Sequence, residues 1–250
     1  YKAAGKTPAE VARELRADVA LDGSVMTAGE RVRITARLIL ARTGEHLWAQ
    51  EYERDLRDIL TLQSEVARAI AAEIQVTVTP QEQQRLASSR PLNPEAYQAY
   101  LRGRYEWNRR TGEGVQEGMK FFQQAIEKDP GSALAYSGLA DAFALLGSLP
   151  FDAMPPREAM PKTKQLATKA LELDDTLAEA HASLGYYKLS HEWDWAAAEK
   201  EFLRAIELNP GYATAHHWYA HTLLAAGRLE EALAEMKRAQ ELNPLSLIIN

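Results

Sequence analysis

The 250-residue chain has no cysteine. Disulfides, thiolate nucleophiles and cysteine-ligated zinc are therefore excluded, although the absence selects no cellular compartment. Nor does any run approach the roughly 20 apolar residues that a membrane-spanning helix needs, so no membrane insertion is expected. No leader-like segment opens the sequence. It begins at Tyr1, stops inside the apolar run Leu247-Ile248-Ile249, and reads as a piece of a longer protein. Basic residues are the minority: 29 Lys and Arg against 35 Asp and Glu leave a net charge of −6, which argues against a general nucleic-acid partner. The deficit is uneven. Residues 1–90 hold 13 of each sign, and the remainder holds 16 basic against 22 acidic, so the acidity belongs to the C-terminal part.

Recognisable catalytic chemistry is also missing. Gly5-Lys6-Thr7 looks like the end of a phosphate-binding loop, but no glycine stands at the earlier position such a loop requires. Thr7 has a better use: Thr7-Pro8-Ala9-Glu10 reads as a capping box with proline at the first helical position. The acidic pairs Asp174-Asp175 and Glu230-Glu231 fall at turns rather than in a converging pocket with divergent acidities. No cofactor is implied, and the chain is not expected to be an enzyme.

Self-similarity is what the sequence has. FFQQAIEKDP (121–130), EFLRAIELNP (201–210) and AEMKRAQELNP (234–244) align, and Pro210 and Pro244 stand 34 residues apart. Between those prolines come Tyr219 and Leu223, then Gly227, Ala232, Met236 and Ala239. Segment 178–210 repeats the classes with Leu184-Gly185, Ala198, Phe202 and Ala205, and carries one extra residue around His191-Glu192-Trp193. Segment 133–175 has Leu139-Ala140, Phe143, Gly147 and Ala170, with Asp175 in the place of the proline and a long insertion in SLPFDAMPPREAMP. The least regular copy spans 95–130.

These residues resemble the tetratricopeptide repeat family over 95–250. The resemblance implies four helical pairs, the first degenerate and the second with a long loop, stacked into an all-α, right-handed superhelical solenoid. The chain would end at the start of another repeat, leaving apolar surface around Leu233 and Met236 and a tendency to self-associate.

Residues 1–80 have a different period. Val32, Ile34, Ala36, Leu38 and Leu40 alternate with Arg31, Arg33, Thr35 and Arg37, which predicts a strand with one apolar and one charged face. Glu45, Glu51 and Glu53 on the next segment favour cross-strand ion pairs over nucleic-acid contact. With a helix before and Ile59, Leu62, Val66, Ile70 and Ile74 at helical spacing after, the order is helix, three antiparallel strands, helix: an α+β unit, with 81–94 as linker. The stretch DGSVMTAGERVRITARLILARTGEHLWAQEYERDL followed by LQSEVARAI resembles the TolB amino-terminal-like (FlgO-like) domain. The resemblance implies that more sheet would precede Tyr1. It also implies an upstream output module such as a winged helix, a Ser/Thr kinase or a nucleotide cyclase.

Three of the six histidines stand in HHWYAH (216–221). In the repeat register His216 shares a slot with Tyr136 and His181 and reads as a packing residue. His217 and His221, four apart, share one helix face. Zinc would need a third and usually a fourth ligand, and Trp218 stands where a metalloprotease helix carries its general-base glutamate. By the family's pattern, groove-facing positions are Asp141, Leu145, Glu179, Tyr186, Leu189, Thr214, His217, His221 and Leu224. The expected ligand is a protein or peptide, with Asp141 and Glu179 favouring a basic one. Trp193 and Trp195 are expected to pack between helices.

Overall fold

A computed structural model describes residues 5–15, 17–28, 31–55, 59–74, 93–148, 154–244, 246 and 249. Most of the expected linker lies outside them. The chain divides into two compact units, Tyr1–Pro94 and Glu95–Asn250.

In the first unit helix α1 (Pro8–Glu14) opens on the expected capping box. Thr7 Oγ1 accepts the Glu10 N–H at 3.3 Å, and the Glu10 carboxylate accepts the Thr7 N–H at 2.7 Å. Strands β1 (Val19–Ala28), β2 (Arg31–Leu40) and β3 (His46–Asp55) form an antiparallel sheet in the order β1-β2-β3. Buried Val32, Tyr52 and Leu62 join β2 and β3 to helix α2 (Ile59–Glu73). The charged side of the sheet carries cross-strand pairs: Arg33 to Glu51 at 3.0 Å and to Glu53 at 3.1 Å, and Arg37 to Asp22 at 2.5 Å.

The second unit holds four helical pairs among its described residues. They are α3 (Pro94–Asn108) with α4 (Gly112–Lys128), α5 (Ala133–Leu146) with α6 (Pro156–Leu173), α7 (Ala178–Tyr187) with α8 (Trp195–Leu208), and α9 (Ala213–Ala225) with α10 (Leu229–Leu242). Besides packing within pairs, α5 lies against α7 and α7 against α9. The first helices of the second, third and fourth pairs therefore stand side by side, and α3 reaches α5 through Arg104 and Asp141. Large rings fix the spacing. Phe122 sits where Gly103 and Gly138 leave room for it: a Cβ on either glycine would fall 2.6 or 2.5 Å from the ring. Gly185 makes the same allowance for Phe202.

The turns between pairs recur in finer detail than the proline pattern. Asp129, Asp174 and Asn209 each end a helix and accept, through a side-chain oxygen, the N–H two residues on, at 3.0, 2.9 and 3.2 Å. In each turn the backbone N–H three residues on also returns to that residue's carbonyl: Ser132, Leu177 and Tyr212. This Asx turn explains why Asp175 can replace proline without loss of the repeat. The extra residue of the third pair is taken up by a π-helical turn, Lys188–Glu192, closed by Trp193 in the left-handed region at φ 58°. That geometry turns Trp193 outward. It is 74% exposed and Trp195 43%, so the expectation that both pack between helices is corrected. On α10, Leu229 and Leu233 are exposed, whereas Met236, expected to be exposed with Leu233, is half-buried.

Candidate functional site: the shared face of the first helices

The side chains that α3, α5, α7 and α9 direct toward one another form a polar interior. At its centre Asp141 is completely buried. Arg104 Nη1 donates to its Oδ2 at 2.8 Å, Tyr212 donates to the same oxygen at 3.4 Å, and Ser183 Oγ donates to Oδ1. Burial pushes the Asp141 carboxyl up, an effect that Arg104 and Ser183 oppose. Burial alone would lower Arg104, but the neighbouring Tyr100, Tyr212, Asp141 and Glu179 outweigh it and hold the guanidinium above its usual range. Tyr212 is likewise raised, chiefly by burial, and so stays a donor.

Two guanidinium groups lie over the buried indole of Trp107: Arg104 at 4.4 Å and Arg110 at 3.6 Å from a ring centroid. Arg110 follows the end of α3 in the left-handed region at φ 54°. It reaches across to the fourth pair, where Nη2 lies 3.5 Å from Thr214 Oγ1. Beside it His217 is 9% exposed, with its Nε2 3.3 Å from Nε2 of His221. Burial, then His221 and Arg110, depress His217 to about 4; burial also lowers His221, whose outer side is open to solvent.

The nine expected groove residues thus divide. Leu145 is buried in the main core, and partly buried Tyr186 and Leu189 pack against it. Tyr186 stacks obliquely on Trp218, with centroids 4.7 Å apart. Thr214 and His217 are buried, Glu179 is half-buried, and His221 and Leu224 are exposed. Asp141 is the substantive correction. Its charge is enclosed and matched by Arg104, so it offers nothing to a basic ligand. The sequence reading missed Arg104, Trp107 and Arg110, which all lie in the first and least regular repeat.

His216 also has a role beyond packing. Its Nδ1 lies 2.5 Å from Glu235 Oε2 and its Nε2 3.0 Å from the Pro210 carbonyl. His181 makes the same clasp one pair earlier, to Glu201 at 2.8 Å and to the Asp175 carbonyl at 3.2 Å. A histidine followed by glutamate 20 or 19 residues later was the available signal. Among the described residues no group of three or more His, Cys, Asp or Glu is placed to hold a metal ion.

Residues 191–247 match the family model described as tetratricopeptide repeat. The C-terminal unit is a tetratricopeptide-repeat solenoid. A Rhizobium meliloti (strain 1021) protein named as adenylate cyclase 3 is 38% identical over 138 residues, covering 54% of this chain and 24% of its own length. The transcriptional regulator HilA of Salmonella typhimurium is 32% identical over 146 residues, covering 58% and 26%. The chain thus spans about a quarter of the length of these curated relatives. Among solved structures, a thermophilic tetratricopeptide protein of Thermus thermophilus overlaps with a TM-score of 0.48 at 17% identity, over 77% of this chain and 94% of that one. Pseudomonas aeruginosa PilF gives 0.45 at 17% identity, over 62% and 64%.

Proposed function

We propose that this solenoid is a non-catalytic interaction module that binds an extended segment of a protein partner along the shared face of α3, α5, α7 and α9. The observation that carries the reading is the alignment of first helices into one continuous face, held rigid by the buried Asp141 network. A preformed surface lowers the ordering cost of association. His221 and Leu224 supply the exposed contacts, and half-buried Tyr186 and Leu189 the floor. The test is affinity capture from lysate of the source cells, with wild type against a double His221→Glu, Leu224→Glu variant whose circular dichroism is unchanged. A protein retained by wild type alone supports the groove; equal recovery by both sinks it.

The relatives support a second reading, in which this region is the regulatory part of a bacterial signalling protein with its output module elsewhere in the chain. Similarity to a protein named as a cyclase and to a transcriptional regulator favours it. In that reading the three strands and two helices of the first unit are the C-terminal part of a TolB amino-terminal-like domain. Sequencing upstream of Tyr1 tests it directly: a cyclase, kinase or winged-helix segment supports it, and a lipoprotein leader counts against it.

A further inference from the structure

The clasps of His181 and His216 share one geometry and differ in one detail. Each ring lies between a carboxylate on the second helix of its pair and a backbone carbonyl in the turn before its own helix. A carbonyl can only accept, so Nε2 carries hydrogen in both. The contact from Nδ1 to the carboxylate needs a hydrogen as well, because a bare nitrogen and an ionised oxygen would otherwise face each other with lone pairs. Whichever of the two atoms holds it, each clasp contains one proton more than a neutral imidazole and an ionised glutamate bring to it.

The detail is the second partner of the glutamate. Glu201 also accepts Lys188 Nζ, through Oε1 at 2.9 Å, so its charge stays matched when His181 gives up its proton. Glu235 has His216 as its one ion-pair partner among the described residues. Charges on the elements packed around His216 are engaged elsewhere or exposed. On α10, Glu231 pairs with Arg228 and Arg238 with Glu241, and Glu230 and Lys237 are exposed. On α8, Tyr219 and Arg228 hold Glu199, Arg204 pairs with Glu207, and Lys200 is exposed. Glu179 of α7 acts on Arg104 and Tyr212, and His217 and His221 of α9 contact each other.

Loss of the proton therefore acts unequally on the two pairs. A neutral His216 keeps its bond to the Pro210 carbonyl but turns a lone pair toward Glu235, and the link to α10 is lost. We propose that the His216–Glu235 clasp is a proton-dependent latch: docking of α10 on α9 holds one proton that the opened form releases, whereas the clasp of the third pair, matched by Lys188, is insensitive. By linkage the latch is closed at low pH and weakens as pH rises through the range in which imidazoles titrate. One proton passes to solvent, and no bond between heavy atoms changes. The latch does not depend on the groove reading, because it joins α9 to α10 rather than to the other first helices.

The experiment is hydrogen exchange of the full chain, read by mass spectrometry at pH 6 and pH 8 and corrected for the intrinsic dependence of exchange on pH. Wild type is compared with Glu235→Gln, whose amide can donate to a bare Nδ1 and so completes the clasp around a neutral ring. In wild type, protection of the α10 amides relative to those of α8 should fall about tenfold from pH 6 to pH 8, the equivalent of one charge-assisted hydrogen bond. In Glu235→Gln that ratio should hold at both pH values. Thermal melts should agree, with the variant below wild type at pH 6 and above it at pH 8. His217 acts in the opposite direction but is common to both proteins, so the comparison at each pH removes it.

A second variant tests the contrast between the pairs. Lys188→Gln leaves Glu201 with His181 alone, and should give α8 the same pH-dependent loss of protection that α10 shows in wild type. An α10-to-α8 ratio in wild type that is the same at both pH values overturns the latch. So does a ratio that falls equally in Glu235→Gln, or an α8 that stays insensitive in Lys188→Gln. Should Glu235→Gln fail to fold, the wild-type ratio still decides.

Discussion

Acid should weaken this solenoid through the imidazole of His217, and the size of its effect can be worked out. His217 titrates near 4 in the folded chain because burial, His221 and Arg110 all disfavour its charged form. Its ordinary value is 6.5. Between these two values the unfolded chain binds a proton that the folded chain refuses, so stability falls with falling pH. The contribution is fully present above pH 6.5 and is lost progressively down to about 4. At 1.36 kcal/mol per unit, the full span is roughly 3 kcal/mol, of which about 2 kcal/mol disappears between pH 7 and pH 5.

The assay is urea unfolding followed by circular dichroism at 222 nm, for wild type and His217→Gln, at pH 7, 6 and 5. Taking the difference between the two proteins at each pH cancels titration elsewhere in the chain, including the first unit. Wild type should lose about 2 kcal/mol more than the variant between pH 7 and 5, equivalent to a thermal difference of roughly 4–8 °C for a unit of this size. Equal losses in the two proteins would refute the reasoning, and would mean that His217 is solvated enough to accept its proton in the folded state.

Three further outcomes follow from the packing. Gly138→Ala places a methyl 2.5 Å from Phe122, whose opposite side is already hemmed in by Gly103, so the ring cannot retreat; a loss of about 1–3 kcal/mol in urea melts is expected. Asp141→Asn keeps the shape but leaves Arg104 buried without its counter-charge, and should cost about 3–5 kcal/mol, whereas the paired change Asp141→Leu with Arg104→Met should recover much of it in the same assay. His216→Phe retains a flat ring but loses both hydrogen bonds, so a cost of about 1–3 kcal/mol would show the clasp to Glu235 and Pro210 matters, and a neutral result would return His216 to simple packing.

How much of this was legible in the sequence depends on the separation of the interacting residues. Gly185, which admits Phe202, the alternation of β2 and the one-residue excess near His191 are local or recur at a fixed period, and could be read before any coordinates. Gly103 and Gly138 beside Phe122, by contrast, were not singled out. The Asx turns were equally local, but attention to Pro130, Pro210 and Pro244 hid the more constant Asp129, Asp174 and Asn209 just before the turn. The groove face was assigned from the resemblance to the repeat family, and a position in that pattern says only which side of a helix a residue occupies.

What covers that side is a long-range question. Asp141 was expected to face a ligand because the family's pattern puts its position in the groove; its partner Arg104 lies 37 residues earlier, in the repeat whose pattern is weakest. Arg110 and Thr214 are separated by 104 residues. When a superhelix brings its first and last pairs this close, side chains of the degenerate end fill the interior and decide its charge. The balance therefore shifts from the acidic residues visible in the well-formed repeats to the arginines of the poorly formed one. The charge of that interior is thus decided partly at the end of the solenoid where the repeat pattern has the least to say.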